Sequence, residues 1–152
     1  MGISRKVAAV GVAAALISLA GVSQAAATEY KGSSCDGLAP CISMYFNSTQ
    51  QGSHTDFGGY GKINFAGYNF ASPSNGQGQP IKNNAASAYF RAKTTDESAI
   101  IYFNSNQAGP CDWLWAQGEK FSIANRLNKT YNNNASLRLV DNSPGVSECY
   151  QF

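Results

Sequence analysis

The chain has 152 residues with 11 Lys and Arg, 9 Asp and Glu and a single histidine, for a formal net charge of +2. With one histidine, neither an H-E-x-x-H zinc site nor a two-histidine metal centre can be built. Residues 1–27 read as a secretory signal peptide: Arg5 and Lys6, an apolar run from Val7 to Val22, then the small-residue stretch Ser23-Gln24-Ala25-Ala26-Ala27. Cleavage after Ala25 or after Ala27 satisfies the small-x-small rule equally. The apolar run is short for a membrane anchor and leads directly into that site. Loss of Arg5 and Lys6 leaves nine basic against nine acidic side chains, a formally neutral exported chain of about 125 residues. That charge excludes a basic field for nucleic acid or an anionic membrane surface.

The four cysteines, Cys35, Cys41, Cys111 and Cys149, all lie in the exported part, an even number suited to an oxidising compartment. Three pairings are open. Cys35 with Cys41 and Cys111 with Cys149 is favoured, because the first closes the small loop CDGLAPC and the second ties the C-terminus back to an inner segment. A metal role is disfavoured by the lack of a C-x-x-C pair.

The middle of the chain repeats itself. Tyr45 to Gly52, YFNSTQQG, returns at Tyr102 to Gly109 as YFNSNQAG, with six of eight positions identical at a spacing of 57 residues. Each copy follows a short apolar run, Ile42-Ser43-Met44 or Ala99-Ile100-Ile101, and ends on Gly, which predicts a strand entering a folded hairpin. A second echo follows, Asn83-Asn84-Ala85-Ala86-Ser87 against Asn132-Asn133-Asn134-Ala135-Ser136. Phe46 to Ser87 spans 41 residues and Phe103 to Ser136 spans 33, and the polar Gly and Pro loop Ser72 to Pro80 accounts for the difference. Strands are predicted over Ile42 to Asn47, Gly67 to Phe70, Ser87 to Arg91, Ala99 to Phe103, Asp112 to Trp115 and Ser136 to Val140. No helical periodicity follows the leader. Two repeats too small to bury their own faces are expected to pack as an all-β sandwich.

The paired pattern, aromatic-x5-Gly (Phe46 to Gly52, Phe103 to Gly109) followed by Asn-Asn-x-x-Ser, resembles the two Greek keys of the βγ-crystallin fold. Key one would cover about 35–91, key two about 98–140, with a tail to 152. A small exported chain of this kind is similar to the Streptomyces metalloproteinase inhibitor family. That resemblance implies a non-enzymatic, monomeric inhibitor of extracellular peptidases, acting by substrate-like insertion of a rigid loop and requiring no cofactor.

For such a loop the sequence offers Pro110, Cys111, Asp112, Trp113 and Leu114, where a Gly-Pro turn, a cysteine and the tryptophans meet, or the loop from Cys35 to Ile42. The competing reading sends Trp113 and Trp115 together into the sandwich core. The βγ-crystallin resemblance also implies calcium ligands at Asn83, Asn84 and Ser87 of one key and Asn132, Asn133 and Ser136 of the other, each site shared between keys. The pattern's final Ser is Ala88 in one key and Leu137 in the other, and neither motif holds a carboxylate, so any affinity would be modest. Turn closure by Asn and Ser side chains explains the same residues without a metal. In each hairpin the Gly is expected at a positive φ, with the aromatic packed beneath the fold. No G-x-S-x-G or paired-carboxylate arrangement supports an enzyme, and His54 and Asp56 are expected on one strand face. Two other classes fit the same fold. One is a non-inhibitory binding or cell-envelope module, calcium-stabilised or not, and the other is a killer-toxin-like antimicrobial, which the neutral charge disfavours.

Overall fold

A computed structural model describes residues 29–32, 35, 37 and 40–152, so the expected signal peptide lies outside the described residues. Ten strands follow in order: β1 (Glu29–Gly32), β2 (Cys41–Tyr45), β3 (His54–Gly58), β4 (Gly61–Asn64), β5 (Ser87–Arg91), β6 (Ser98–Asn104), β7 (Ala108–Trp115), β8 (Phe121–Ala124), β9 (Ser136–Val140) and β10 (Cys149–Gln151). They form two five-stranded sheets, ordered β1-β3-β2-β5-β8 and β10-β7-β6-β9-β4. The first key is β2 to β5 and the second β6 to β9. The third strand of each key leaves its own sheet: β4 pairs antiparallel with β9, and β8 pairs antiparallel with β5. This is the paired Greek-key, βγ-crystallin-like sandwich that the repeat predicts.

Alternation fixes which face each strand buries. Ile42 and Met44 of β2, Phe57 of β3, Ala88 and Phe90 of β5 and Ala124 of β8 face Ala99 and Ile101 of β6, Leu114 of β7 and Leu137 and Leu139 of β9, all in one apolar core. A second, smaller cluster lies outside sheet two, where Ile100, Tyr102, Cys111, Trp113 and Val140 pack with Val146 and Cys149 of the segment after β9. Trp113 and Trp115 do share a face, stacked with ring centroids 5.3 Å apart, but it is this outer face. Leu114, between them, is the residue that enters the sandwich.

Both favoured disulfides form, Cys35–Cys41 and Cys111–Cys149. Cys35 lies buried beside Ser43 outside sheet one, and Cys149 aligns with Cys111 where β10 runs parallel to β7. Each outer sheet face is thus stapled to a terminal segment of the chain. The strand expected over Gly67 to Phe70 does not form. Gly67 has φ of 88°, only the bridge Asn69↔Pro80 is made, and Phe70 is buried in the core from a loop.

The two keys differ at the hairpin aromatics. Residues 72–80 fold back on themselves through bonds such as Gln77 N to Ser74 O (3.0 Å) and Gln79 N to Gly76 O (3.0 Å), and dock on the first hairpin. There the Ser53 amide donates to Asn75 O at 2.7 Å, and the Phe46 ring covers Gly76 while meeting Phe70 edge-on at 5.5 Å. Key two has no such loop, and its Phe103 is 40% exposed rather than packed beneath the fold. Pro110 stands where Ser53 stands in the first key, so no backbone N–H is left unpaired by the missing loop.

Two buried carboxylates tie loops to strands. Asp112 accepts from the backbone amides of Asn128, Lys129 and Thr130 (3.1, 3.0 and 2.9 Å) and from the Thr130 hydroxyl (2.6 Å), pinning the segment after β8 to β7. Glu97, in the connection between keys, accepts from the Lys93 amide at 2.6 Å and from the Tyr60 hydroxyl at 2.7 Å.

Gly76 has φ of 91°, and a Cβ there would run into the Phe46 ring, so Gly76→Ala combines left-handed strain with overpacking. It should lower stability by about 2 kcal/mol or more, read by urea unfolding. The Tyr60 phenol is pushed up to about 12, first by its hydrogen bond to Glu97 and then by burial. A folded-state value above the unfolded one of about 10 means that the contribution is complete below that pH and is lost as pH rises towards about 12. Unfolding midpoints of wild type should therefore fall more steeply than those of Tyr60→Phe across that window.

Candidate functional site

The two Asn-Asn-x-x-Ser stretches come together where the keys cross. The Asn83 amide donates to Asn134 O at 2.8 Å, and the Asn132 amide to Ala85 O at 3.0 Å, so each key's stretch is bonded to the other's. Asn83 and Asn132 hold φ of 65° and 52°, a left-handed conformation that Asn tolerates better than most residues. Ser87 and Ser136, both buried, reach back into their own hairpins. The Ser87 hydroxyl donates to Asn47 O at 2.6 Å and accepts from the Gln50 amide at 3.0 Å. Ser136 repeats this with Asn104 O at 2.6 Å and the Gln107 amide at 3.0 Å.

Those hairpins need fastening. Thr49 and Gln50 of the first, and Asn106 and Gln107 of the second, all have φ between 55° and 60°, unfavourable for side chains with a Cβ. Gly52 and Gly109 close them at φ of 78°, and a Cβ at Gly109 would come within 2.6 Å of the Asn104 amide nitrogen. The Gly expectation therefore holds in both hairpins. Asn134, which sequence reasoning left unassigned, is buried and bridges the keys, donating through Nδ2 to Ala85 O at 2.7 Å and to Thr130 O at 3.0 Å. Its only sequence signal was a third Asn where the first key has Ala85.

Beside this junction lies a hollow of about 170 Å³ lined by Phe46, Asn47, Ser48, Asn84, Tyr131 and Asn132. It contains residues of both keys, as a shared calcium site requires, but the donor set fits the ion poorly. Every oxygen donor lining it is neutral, and the Asn84 amide is already turned to Lys82 O at 3.2 Å. The Arg126 guanidinium lies 4.2 Å from the centre of the Tyr131 ring, placing a cation against the wall. In the other key the residue before the Asn pair is Lys82. A divalent charge there meets no anion and has a cation for a neighbour.

The stretch Pro110 to Leu114 is not a loop. It lies within β7, between β6 on one side and β10 on the other, and Cys111, Asp112, Trp113 and Leu114 are buried. Pro110 alone is exposed at the hairpin exit. A peptidase cleft cannot take in a strand that is hydrogen-bonded along both edges, so this candidate inhibitory segment is withdrawn. The reason is topological: the C-terminus returns as β10 and covers the edge of β7 that the repeat alone leaves open. In the alternative loop, from Cys35 to Ile42, the described residues are Cys35, Gly37 and 40–42, of which Gly37 is exposed.

His54 has a serine at hand, Ser72 Oγ, 3.0 Å from Nδ1. That serine is buried and also accepts the His54 amide at 2.7 Å, so its hydroxyl is fixed as a clasp on the loop at 72–80. A further surface feature is on sheet one. Tyr89↔Ile123 and Arg91↔Phe121 are cross-strand partners on its outer face, with Phe121 44% and Ile123 42% exposed and the Tyr89 and Phe121 rings 6.3 Å apart. Arg91 is held by Cys35 O at 3.3 Å, from the stapled segment that borders the patch.

No family model and no curated protein matches the chain. Among solved structures it is similar to a βγ-crystallin domain from Flavobacterium johnsoniae, at 22% identity and a TM-score of 0.44, over 70% of this chain and 98% of that one. The poor donor set gives a direct expectation: about 1 mM calcium, compared with a chelator, should shift the melting temperature by no more than about 1–2 °C.

Proposed function

We propose that the chain is an exported, non-enzymatic binding protein that engages another protein through the outer face of sheet one at Tyr89, Arg91, Phe121 and Ile123. The observation that carries this reading is the patch itself. Two large apolar side chains stand exposed beside a tyrosine and an arginine, the residue types that dominate binding energy at protein interfaces, on a rigid and stapled sheet. A surface fixed before binding loses little entropy on complex formation. Export is supported by the leader read in the sequence and by two disulfides, which persist in oxidising compartments.

The partner class follows from the resemblance to secreted metalloproteinase inhibitors: an extracellular peptidase, blocked by occlusion across a sheet face rather than by insertion of a loop. No cofactor takes part. The test is an inhibition titration of the purified exported form against a thermolysin-like metallopeptidase and a subtilisin-like serine peptidase. Stoichiometric inhibition that Phe121→Ala and Arg91→Ala each weaken by about tenfold is the expected result. If neither peptidase slows at about 100 μM protein, peptidases are removed as the partner class.

A further inference from the structure

The last strand of sheet one, β8 (Phe121–Ala124), has an outer edge along which no described strand pairs; the edge closes one residue further on, where the Thr49 amide donates to Asn125 O at 2.6 Å. The Ala92 amide donates to Lys120 O at 2.9 Å, so 92 and 120 form a hydrogen-bonded pair of the antiparallel β5–β8 ladder. Alternation makes 90 with 122 and 88 with 124 the next such pairs. The backbone N–H and C=O of Phe121 and Ile123 therefore point away from β5, towards the open edge, and no described residue bonds to them. The same two residues carry exposed apolar side chains.

The first key shows how this fold guards such an edge. The strand related to β8 by the internal repeat is β4, at the margin of sheet two, where Asn64 faces Ser136 as Asn125 would face Ser87. Lys62 then stands where Ile123 stands, exposed and charged at the edge, a standard device against strand-to-strand association. The hairpin contacts at the ends of the two strands match: Gln107 Nε2 reaches Ile63 O at 3.3 Å as Gln50 Nε2 reaches Ala124 O at 3.0 Å, and Asn106 bonds the Asn64 side chain where the Thr49 amide donates to Asn125 O at 2.6 Å. The strands differ at the guard: on β8 the lysine is replaced by isoleucine, and the outward backbone groups of Phe121 and Ile123 bond to no described residue.

From this we infer that β8 pairs antiparallel with β8 of a second copy, joining the two outer sheets edge to edge about a two-fold axis. A strand paired with itself is complementary by symmetry when residues of like parity face one another. Centring the axis on Ser122 sets Phe121 of each copy against Ile123 of the other and satisfies the outward backbone groups of both. It also brings Glu119 of one copy to the end where Arg126 of the other lies, so opposite charges flank the junction. The side chains of Tyr89, Arg91, Phe121 and Ile123 remain on the outer face, and two copies of the patch become one continuous surface. A four-residue patch is small for a stable interface, and doubling brings it towards the usual size. The pairing stands on the strand edge alone and needs no partner peptidase.

The experiment is sedimentation equilibrium of the purified exported chain from about 1 μM to about 1 mM, the range of a weak edge-to-edge contact, with residue-resolved hydrogen exchange at both ends of it. Wild type should pass from monomer to dimer, and the amides of Phe121 and Ile123 should slow as it does. Ile123→Lys, which copies the guard at Lys62 onto a 42% exposed position, should remain monomeric with an unchanged melting temperature. Lys62→Ala, at the other edge, should dimerise like wild type. A chain that is monomeric throughout overturns the inference, as does a dimer that Ile123→Lys leaves intact or in which both amides exchange freely. Protection of those amides by an added peptidase in an otherwise monomeric chain overturns it too, and assigns the edge to a partner strand.

Discussion

Neither key can close its own core, because each gives its third strand to the other's sheet. Without β8, Phe90 and Ala88 would lose a neighbour along their sheet; without β4, Leu137 and Leu139 would. The exchange forces the segments that return from β4 and β8 to cross between the sheets. At that crossing Asn83 and Asn132 bond to the opposite key, Asn134 clasps Ala85, and Ser87 and Ser136 fasten the hairpins. The Asn134 bonds are buried, where leaving a donor or acceptor unpaired costs about 1–3 kcal/mol, so the junction constrains how the halves can sit. A calcium ion placed there would duplicate a connection that hydrogen bonds already make.

The halves are related but have diverged in what they leave exposed. Key one spends an extra loop to cover Phe46 through Gly76, anchored by the Ser53 amide. Key two replaces that amide donor with Pro110 and leaves Phe103 in solvent. The edge strands have diverged in the opposite sense, with Lys62 guarding key one's donated strand and Ile123 opening key two's. Each change is consistent within its own setting: a backbone donor is removed where its acceptor is missing, and a charge is present where an edge would otherwise be sticky.

The stapled terminal segments have a related effect on where binding can occur. Outside sheet two, the segment carrying Val146 and Cys149 covers the tryptophan pair, so the aromatics that look most like an anchor in the sequence are spent on a second apolar cluster. Outside sheet one, the segment carrying Cys35 covers Ser43 and reaches Arg91, but stops short of Phe121 and Ile123. On sheet one the exposed apolar side chains are therefore those the staple leaves uncovered, on the strand farthest from the N-terminal segment.

The sequence by itself determined the pairing of two keys, the strands β2, β5, β6 and β9 and the Asp112 to Trp115 half of β7, the left-handed glycines Gly52 and Gly109 and the favoured disulfide partners. Those features are local or repeated: a glycine forced by a turn, an apolar alternation, a motif stated twice. It missed β1, β3, β4, β8 and β10 because EYKG, HTDFG, GKIN, FSIA and CYQ are short, interrupted by polar or glycine residues and stabilised by pairing rather than by propensity. Only the tertiary structure decided that the strand through Pro110 to Leu114 is an inner one, paired on both edges, since that depends on β10 arriving from the far end of the chain. It likewise decided that alternation carries Trp113 outward and Leu114 inward, because a period of two fixes which residues share a face and not which face meets the core. Exposure of Phe121 and Ile123 belongs to the same class. An edge is a property of strand order, and strand order here is set by an exchange between keys that no local pattern records.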